Sequence, residues 1–174
     1  KIEQSAEQVR LQDIELPMLL RVQLEKFVLA AQEKHIQLCI ETCPQQQIHS
    51  DVKMMDLILE NLLSNAIKYT PQGGKVTLSA SVEGKMAVIH VCDTGIGIPK
   101  AEIKSIFKTF FRASNAINSQ EMGSGLGLML TRKLVEKLGG KLSFVSEEGK
   151  GTTFCVKMPL GHVTDSSVRL VGEK

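Results

Sequence analysis

The run Met86-Ala87-Val88-Ile89-His90-Val91-Cys92 leads straight into Asp93-Thr94-Gly95-Ile96-Gly97-Ile98-Pro99, and this junction decides how the chain is read. The apolar run predicts a buried strand. A carboxylate, two glycines and a closing proline then predict a loop whose backbone a ligand can approach closely. The common nucleotide fingerprints do not fit. A dinucleotide loop needs a third glycine where Lys100 stands, and a Walker loop needs Gly-Lys-Ser/Thr, which the chain lacks. Taken alone, such a loop is also the signature of an ordinary turn, so its neighbours must decide.

Upstream, Ser50 or Asp51 can cap a helix running to about Tyr69, with Met55, Ile58, Leu59, Leu62 and Ala66 as its apolar stripe. Asn61, Asn65 and Lys68 fall on a second face of that helix. Thr70-Pro71-Gln72-Gly73-Gly74 ends it, and Val76, Leu78, Ala80 and Val82 alternate in a half-buried strand. Glu83-Gly84-Lys85 turns that strand back into the one that delivers Asp93. Further upstream, residues 9–14 predict an edge strand. A helix follows from Leu16-Pro17, with Leu20, Leu24, Phe27, Val28 and Ala31 inward, and residues 36–40 predict another strand. Gln45-Gln46-Gln47 reads as a polar loop.

Downstream, residues 100–122 form a long connection, helical near 102–111 and mobile around 114–119. Residues 126–138 predict a helix with Leu130, Leu134, Val135 and Leu138 inward and Gly139-Gly140 as its stop. Residues 142–145 and 153–158 are the closing strands. Strands interleaved with three main helices imply an α/β sandwich, a mixed sheet with helices on one face.

At 174 residues the chain is long enough for one domain with one core. A net charge of +2 argues for neither nucleic acid nor an anionic membrane as partner. No apolar run approaches the ~18 residues of a membrane span. Cys39, Cys43, Cys92 and Cys155 are scattered without zinc or disulfide spacing, which predicts buried reduced thiols and a cytosolic compartment. The four histidines are dispersed, and none is expected to be catalytic.

Five stretches then recur in a telling order: Glu60-Asn61-Leu62-Leu63-Ser64-Asn65-Ala66-Ile67-Lys68-Tyr69, the Asp93 loop, Phe107-Lys108-Thr109-Phe110-Phe111-Arg112, Gly123-Ser124-Gly125-Leu126-Gly127-Leu128, and Gly149-Lys150-Gly151-Thr152-Thr153-Phe154. Together they resemble the catalytic and ATP-binding domain of two-component sensor histidine kinases. The resemblance is close over residues 51–159 and looser over 11–50. It implies the Bergerat fold, shared with topoisomerase, mismatch-repair and chaperone ATPases: a two-layer sandwich of about five mostly antiparallel strands and about three helices, with a flexible lid over ATP.

The resemblance also implies roles. Asp93 accepts from the adenine amino group, Gly95 and Gly97 let the backbone approach the base, and Ile98, Tyr69 and Leu126 form walls. The second glycine box, Gly123 to Leu128, cradles phosphates at a helix start, and Thr153 of the last box adds a nucleotide contact. Asn65, supported by Asn61, holds magnesium, and Lys68 and Arg112 neutralise phosphate charge. Lys104 and Lys108 share a predicted helical face with Arg112 and are read as solvated. Hydrolysing relatives carry a general-base glutamate four residues before the metal-binding asparagine. Asn61 stands there instead, which favours transfer to a protein acceptor over hydrolysis. Glu60 either polarises an incoming histidine or faces solvent.

No acceptor box of the His-Glu/Asp-Leu/Phe-Arg-Thr-Pro kind occurs, and the chain starts at Lys1. The expectation is therefore a fragment: residues 1–10 ending an upstream dimerisation helix or linker, 11–160 the catalytic domain, 161–174 a tail. Expected partners are the histidine-bearing dimerisation domain of the same protein and a response-regulator receiver domain. The expected location is cytoplasmic, on a parent protein that the inner membrane can anchor. Two alternatives stay open: an anti-sigma-factor-like serine kinase of the same fold, and a pseudokinase interaction module that binds no nucleotide.

Overall fold

The computed structural model describes residues 8–118 and 124–161. In chain order the elements are β1 (Gln12–Glu15), α1 (Leu16–Glu33), β2 (Gln37–Thr42), β3 (Gln47–Ser50), α2 (Val52–Tyr69), β4 (Lys75–Glu83), β5 (Met86–Asp93), α3 (Ser114–Asn118), α4 (Gly127–Lys137), β6 (Lys141–Glu147) and β7 (Gly151–Pro159). Five strands form one mixed sheet in the order β2-β4-β5-β7-β6, parallel between β2 and β4 and antiparallel elsewhere. A separate two-stranded ribbon pairs β1 with β3.

The core lies between one face of that sheet and α1, α2 and α4, as expected. Val76, Leu78, Ile89, Val91, Val156 and Met158 alternate onto this face and meet the α2 stripe of Met55, Ile58, Leu59, Leu62 and Ala66. Central β5 is paired along its whole length on both sides, and its last residue, Asp93, sits opposite Val76 of β4 and Thr152 of β7. On the other face ion pairs Lys157–Glu83 (2.6 Å) and Lys75–Glu41 (2.8 Å) lie in water.

Of the two candidate caps, Asp51 holds α2, its Oδ1 accepting from the Met54 N–H at 3.1 Å. Its Oδ2 accepts from the Arg10 N–H at 2.7 Å, and these backbone bonds, Arg10's foremost, hold the carboxyl below the usual carboxylate range. At the other end, Lys34 Nζ donates to the Ile67 and Lys68 carbonyls at 3.0 and 2.8 Å, a cation at a helix C-terminus. The helix that carries Asn61, Asn65 and Lys68 is thus fixed at both ends.

Several expectations need correction. The polar loop at Gln45-Gln46-Gln47 is only partly a loop: Gln47 opens β3, held by pairing with β1. The helix expected at 102–111 is reduced to a single 3₁₀ turn, Ile103–Ser105, so Lys104, Lys108 and Arg112 share no helical face. The described part of segment 114–119, read as the mobile part of the connection, contains the short helix α3, Ser114–Asn118. Leu130 is 49% exposed and Val28 37% exposed; in α4 the buried positions are Thr131 and Val135. All four cysteines are free, as predicted, but only partly buried. Among the described residues no helix is long and apolar enough to cross a membrane. The segments expected to be an upstream linker and a tail lie mostly outside the described residues.

Candidate functional site

One cavity of about 240 Å³ opens between α2, the Asp93 loop, α3 and the start of α4. Of the side chains singled out in the sequence, Asn61, Asn65, Lys68, Tyr69, Asp93, Ile98 and Arg112 line it, as do Gly97, Ser124, Gly125, Gly127 and Leu128. Residues far apart in sequence meet here because α2 lies on the sheet directly below the end of β5.

Asp93 is 9% exposed. Its Oδ1 accepts from the Gly95 N–H at 2.8 Å and the Thr152 N–H at 3.1 Å, while among the described residues no bond reaches Oδ2. Burial raises its pKa from 3.8 to about 6 against the two lowering hydrogen bonds. A carboxylate with one oxygen anchored and the other open to a pocket is an acceptor for a ligand's N–H.

The loop after Asp93 is laced to the turn between β6 and β7. Ile98 N–H donates to Ser146 Oγ at 2.9 Å, and Gly149 N–H to the Ile96 carbonyl at 2.8 Å. From the lid side, Asn115 Nδ2 donates to the Gly97 carbonyl at 2.9 Å. Among the described residues its Oδ1 is buried with no hydrogen-bond partner.

Glycines shape the wall at the start of α4. A Cβ at Gly127 would fall on the Asn61 carboxamide, and one at Gly125 would lie 2.7 Å from the Phe110 carbonyl carbon. Both faces are cradles that only glycine leaves open. Phe107 and Phe144 pack edge to face at 5.6 Å, Phe144 stacks on Phe154 at 5.5 Å, and Arg132 lies 5.4 Å above the Phe107 ring. The phenylalanine box thereby anchors the segment that ends in Phe111 and Arg112, and Arg112 Nη2 donates to the Ala116 carbonyl at 3.3 Å.

Not every expected residue reaches the pocket. Thr153 lies on the other face of the sheet, where its Oγ1 donates to Cys92 Sγ at 3.1 Å, and its neighbour Thr152 lines the cavity instead. Strand alternation is the reason: the register places Thr152 opposite Asp93. Glu60 pairs with Lys26 of α1, which makes it a link between α1 and α2. Gly95 and Leu126 do not line the cavity; Gly95 acts through Asp93, and a Cβ there would lie 2.6 Å from the Tyr69 carbonyl oxygen. Gly123 lies outside the described residues. Among the lining or supporting residues not anticipated are Thr152, Asn115 and Thr131. Strand register could have found Thr152; nothing in the sequence marked Asn115.

A magnesium ion fits the polar groups present. Among the described residues no cluster of three or more His, Cys, Asp or Glu could hold a metal. Asn61 and Asn65 bring two amides to the pocket, and hard oxygen ligands in small number suit an ion that keeps waters and takes phosphate oxygens.

The chain belongs to the family described as histidine kinase-, DNA gyrase B- and HSP90-like ATPases, whose profile matches residues 50–162. Within that class it is 33% identical over 84% of its length to the sensor histidine kinase WalK of Bacillus subtilis, and 34% identical over 89% to YclK of the same organism. It spans only 24% and 33% of those two proteins. The catalytic domain of histidine kinase ThkA superposes with a TM-score of 0.73 at 26% identity, covering 86% of this chain and 97% of that one. Full-length ShkA, solved in complex with AMPPNP, gives 0.78 at 30% identity, covering 89% of this chain and 32% of that one.

Proposed function

We propose that this chain is the ATP-binding catalytic domain of a bacterial sensor histidine kinase. It transfers the γ-phosphoryl group of ATP to a histidine on a dimerisation domain outside these residues. Asn61 carries this reading. It lines the pocket at the position where hydrolysing relatives hold a general base, and a carboxamide cannot take a proton from water. A water molecule needs that help to attack phosphorus, whereas a neutral imidazole already offers a nitrogen lone pair. The imidazole nitrogen forms its bond to the γ-phosphorus as the bridging P–O bond breaks and ADP leaves.

In this reading Asp93 accepts from the adenine amino group through its open Oδ2. Gly97 and Ile98 line the base, and Lys68 and Arg112 face phosphate oxygens with Ser124, Gly125 and Gly127. Asn65 and Asn61 hold Mg²⁺, which supplies charge neutralisation on the phosphates when bound. Full-length ShkA bound to AMPPNP supports the nucleotide, and ThkA solved with the response regulator TrrA supports a receiver domain as the eventual partner. The cytoplasm as location, residues 1–10 as the end of a dimerisation helix or linker, and 161–174 as a tail belong to the same proposal.

Calorimetry with ATP analogue, ADP and GTP, with and without Mg²⁺, tests it. Adenine-selective, magnesium-assisted binding is expected; binding of GTP equal to that of ATP would remove the role given to Asp93. A longer chain that includes the upstream helices should gain acid-labile phosphate from ATP. Acid-stable phosphate on a partner would favour the serine-kinase alternative.

The raised Asp93 pKa gives a pH signature. Adenine needs the carboxylate, so affinity for adenosine, which has no phosphate to titrate, should climb as pH rises towards about 6 and level off above it. Stability runs the other way. The folded pKa exceeds the unfolded one, so this group's contribution is complete below 3.8 and lost as pH rises through about 6. Isothermal titration between pH 5 and 8 checks the first trend, and the difference in melting between wild type and Asp93→Asn across that range checks the second.

A further inference from the structure

The inner face of α4 contains a polar notch. Thr131 is 1% exposed, at a position where an amphipathic helix ordinarily places an aliphatic side chain. A buried hydroxyl needs a partner, and here it is Asn61: the carboxamide Nδ2 donates to Thr131 Oγ1 at 2.6 Å. One helical turn earlier, Gly127 lies against the same carboxamide, where a Cβ would strike Asn61 Oδ1. Gly127 and Thr131 therefore form the floor and the wall of a seat for one amide.

The seat anchors the amide by one end. Oxygen and nitrogen are nearly the same size, so packing alone selects weakly between the two flipped orientations. Here Thr131 Oγ1 accepts from the N–H₂ end, which leaves the oxygen end available to a cation; a hydroxyl can also donate, so the flipped amide would keep its bond to Thr131 and lose only the cation contact. The opposite flip would turn two N–H dipoles towards positive charge.

We propose that Thr131 is a positioning residue for the cation site: through its hydrogen bond to Asn61 it holds the carboxamide with Oδ1 presented as a ligand for Mg²⁺. This inference rests on the reading that Asn61 and Asn65 hold magnesium with the nucleotide. Thr131 touches neither nucleotide nor metal. Its influence passes through Asn61, and because it sits on α4 it ties the orientation of that amide to the docking of α4 on α2.

The test uses the whole chain with ADP, titrated with Mg²⁺. Thr131→Val keeps the shape and removes the hydroxyl. It should raise the Mg²⁺ concentration for half-maximal enhancement of ADP binding by about fivefold to tenfold, the effect of one lost neutral hydrogen bond. Metal-free ADP affinity should stay within twofold of wild type. Thr131→Ser restores the hydroxyl and should return the midpoint towards the wild-type value. In the metal-free protein, the two Asn61 side-chain amide proton resonances should move in Thr131→Val and keep their wild-type dispersion in Thr131→Ser. A folded Thr131→Val protein with an unchanged magnesium midpoint overturns the proposal, as does Thr131→Ser behaving like Thr131→Val. Asn65→Ala separates the two levels of the argument. If wild type shows magnesium dependence and Asn65→Ala leaves it intact, the cation reading itself is wrong, and the role of Thr131 goes with it.

Discussion

Asp93→Asn is expected to lose adenine-nucleotide affinity by about 10²-fold while making the unliganded protein more stable. The two effects have separate causes. Asparagine keeps an Oδ1 to accept from the Gly95 and Thr152 N–H groups, so the loop and the β5–β7 junction stay joined. What changes is the open end of the side chain. An amide nitrogen placed there meets the adenine amino group donor to donor, and a hydrogen bond to a charged acceptor, worth about 1.5–3 kcal/mol, is gone. In the unliganded fold the same replacement removes a buried charge. The shift from 3.8 to about 6 corresponds to ~3 kcal/mol of ionisation cost at neutral pH. Weaker neutral hydrogen bonds in the asparagine variant offset part of this, so about 1–3 kcal/mol of added stability is the expected range. Tm should rise by about 2–4 °C for each kcal/mol. Calorimetric titration and thermal melting on the same samples check both halves. A variant that loses binding and also melts lower would mean that Asp93 is mainly structural.

Gly97→Ala carries the second large effect, and here both quantities should fall. Gly97 has φ +64°, which costs an alanine roughly 1–2 kcal/mol. Its Cβ would also fall on the carbonyl of Glu147 at the end of β6, a backbone group held by pairing with β7. Overpacking of this kind costs about 1–3 kcal/mol. The sum, about 2–5 kcal/mol, should lower Tm by about 4–20 °C at 2–4 °C per kcal/mol. Moving the loop off the turn also strains the Ile98–Ser146 and Gly149–Ile96 hydrogen bonds, so ADP affinity should drop at least about tenfold. Gly84→Ala is the matched control. Gly84 has φ +59° in the β4–β5 turn but nothing within 4 Å of an added Cβ, so it reports conformational strain alone. If the two variants melt together, the close approach to Glu147 is not what requires glycine at position 97.

Much of the site could be read from local pattern because local physics builds it. The α2 stripe, its acidic cap and the polar face of Asn61, Asn65 and Lys68 are all properties of a single 3.6-residue period. Asp93 was legible because a strand of apolar residues ends on it. What escaped depends on partners distant in sequence. β3 holds four residues, only one of them aliphatic, and exists because β1 lies beside it. Thr152 and Thr153 differ only in which way a strand faces, and register with Asp93 decides that. Leu130, apolar and at helical spacing, reads as inward. Yet α4 buries Thr131, since the neighbour across the interface is an amide and not a methyl group. The 102–111 stretch has helical spacing, but Phe107 packs on Phe144 and Phe111 on the core while Phe110, at φ +60°, is 72% exposed, and turns replace the helix.

The β5–β7 pairing sets an order of assembly. The β4–β5 hairpin closes through a turn at Gly84 and can form early from local contacts. The bond from Thr152 to Asp93 spans 59 residues of chain, and closing such a loop costs entropy that only the finished sheet repays. The residue at the centre of the pocket is therefore among the last to acquire its full set of partners. During synthesis β7 must leave the ribosome before the Thr152 N–H can join the Gly95 N–H on this carboxylate.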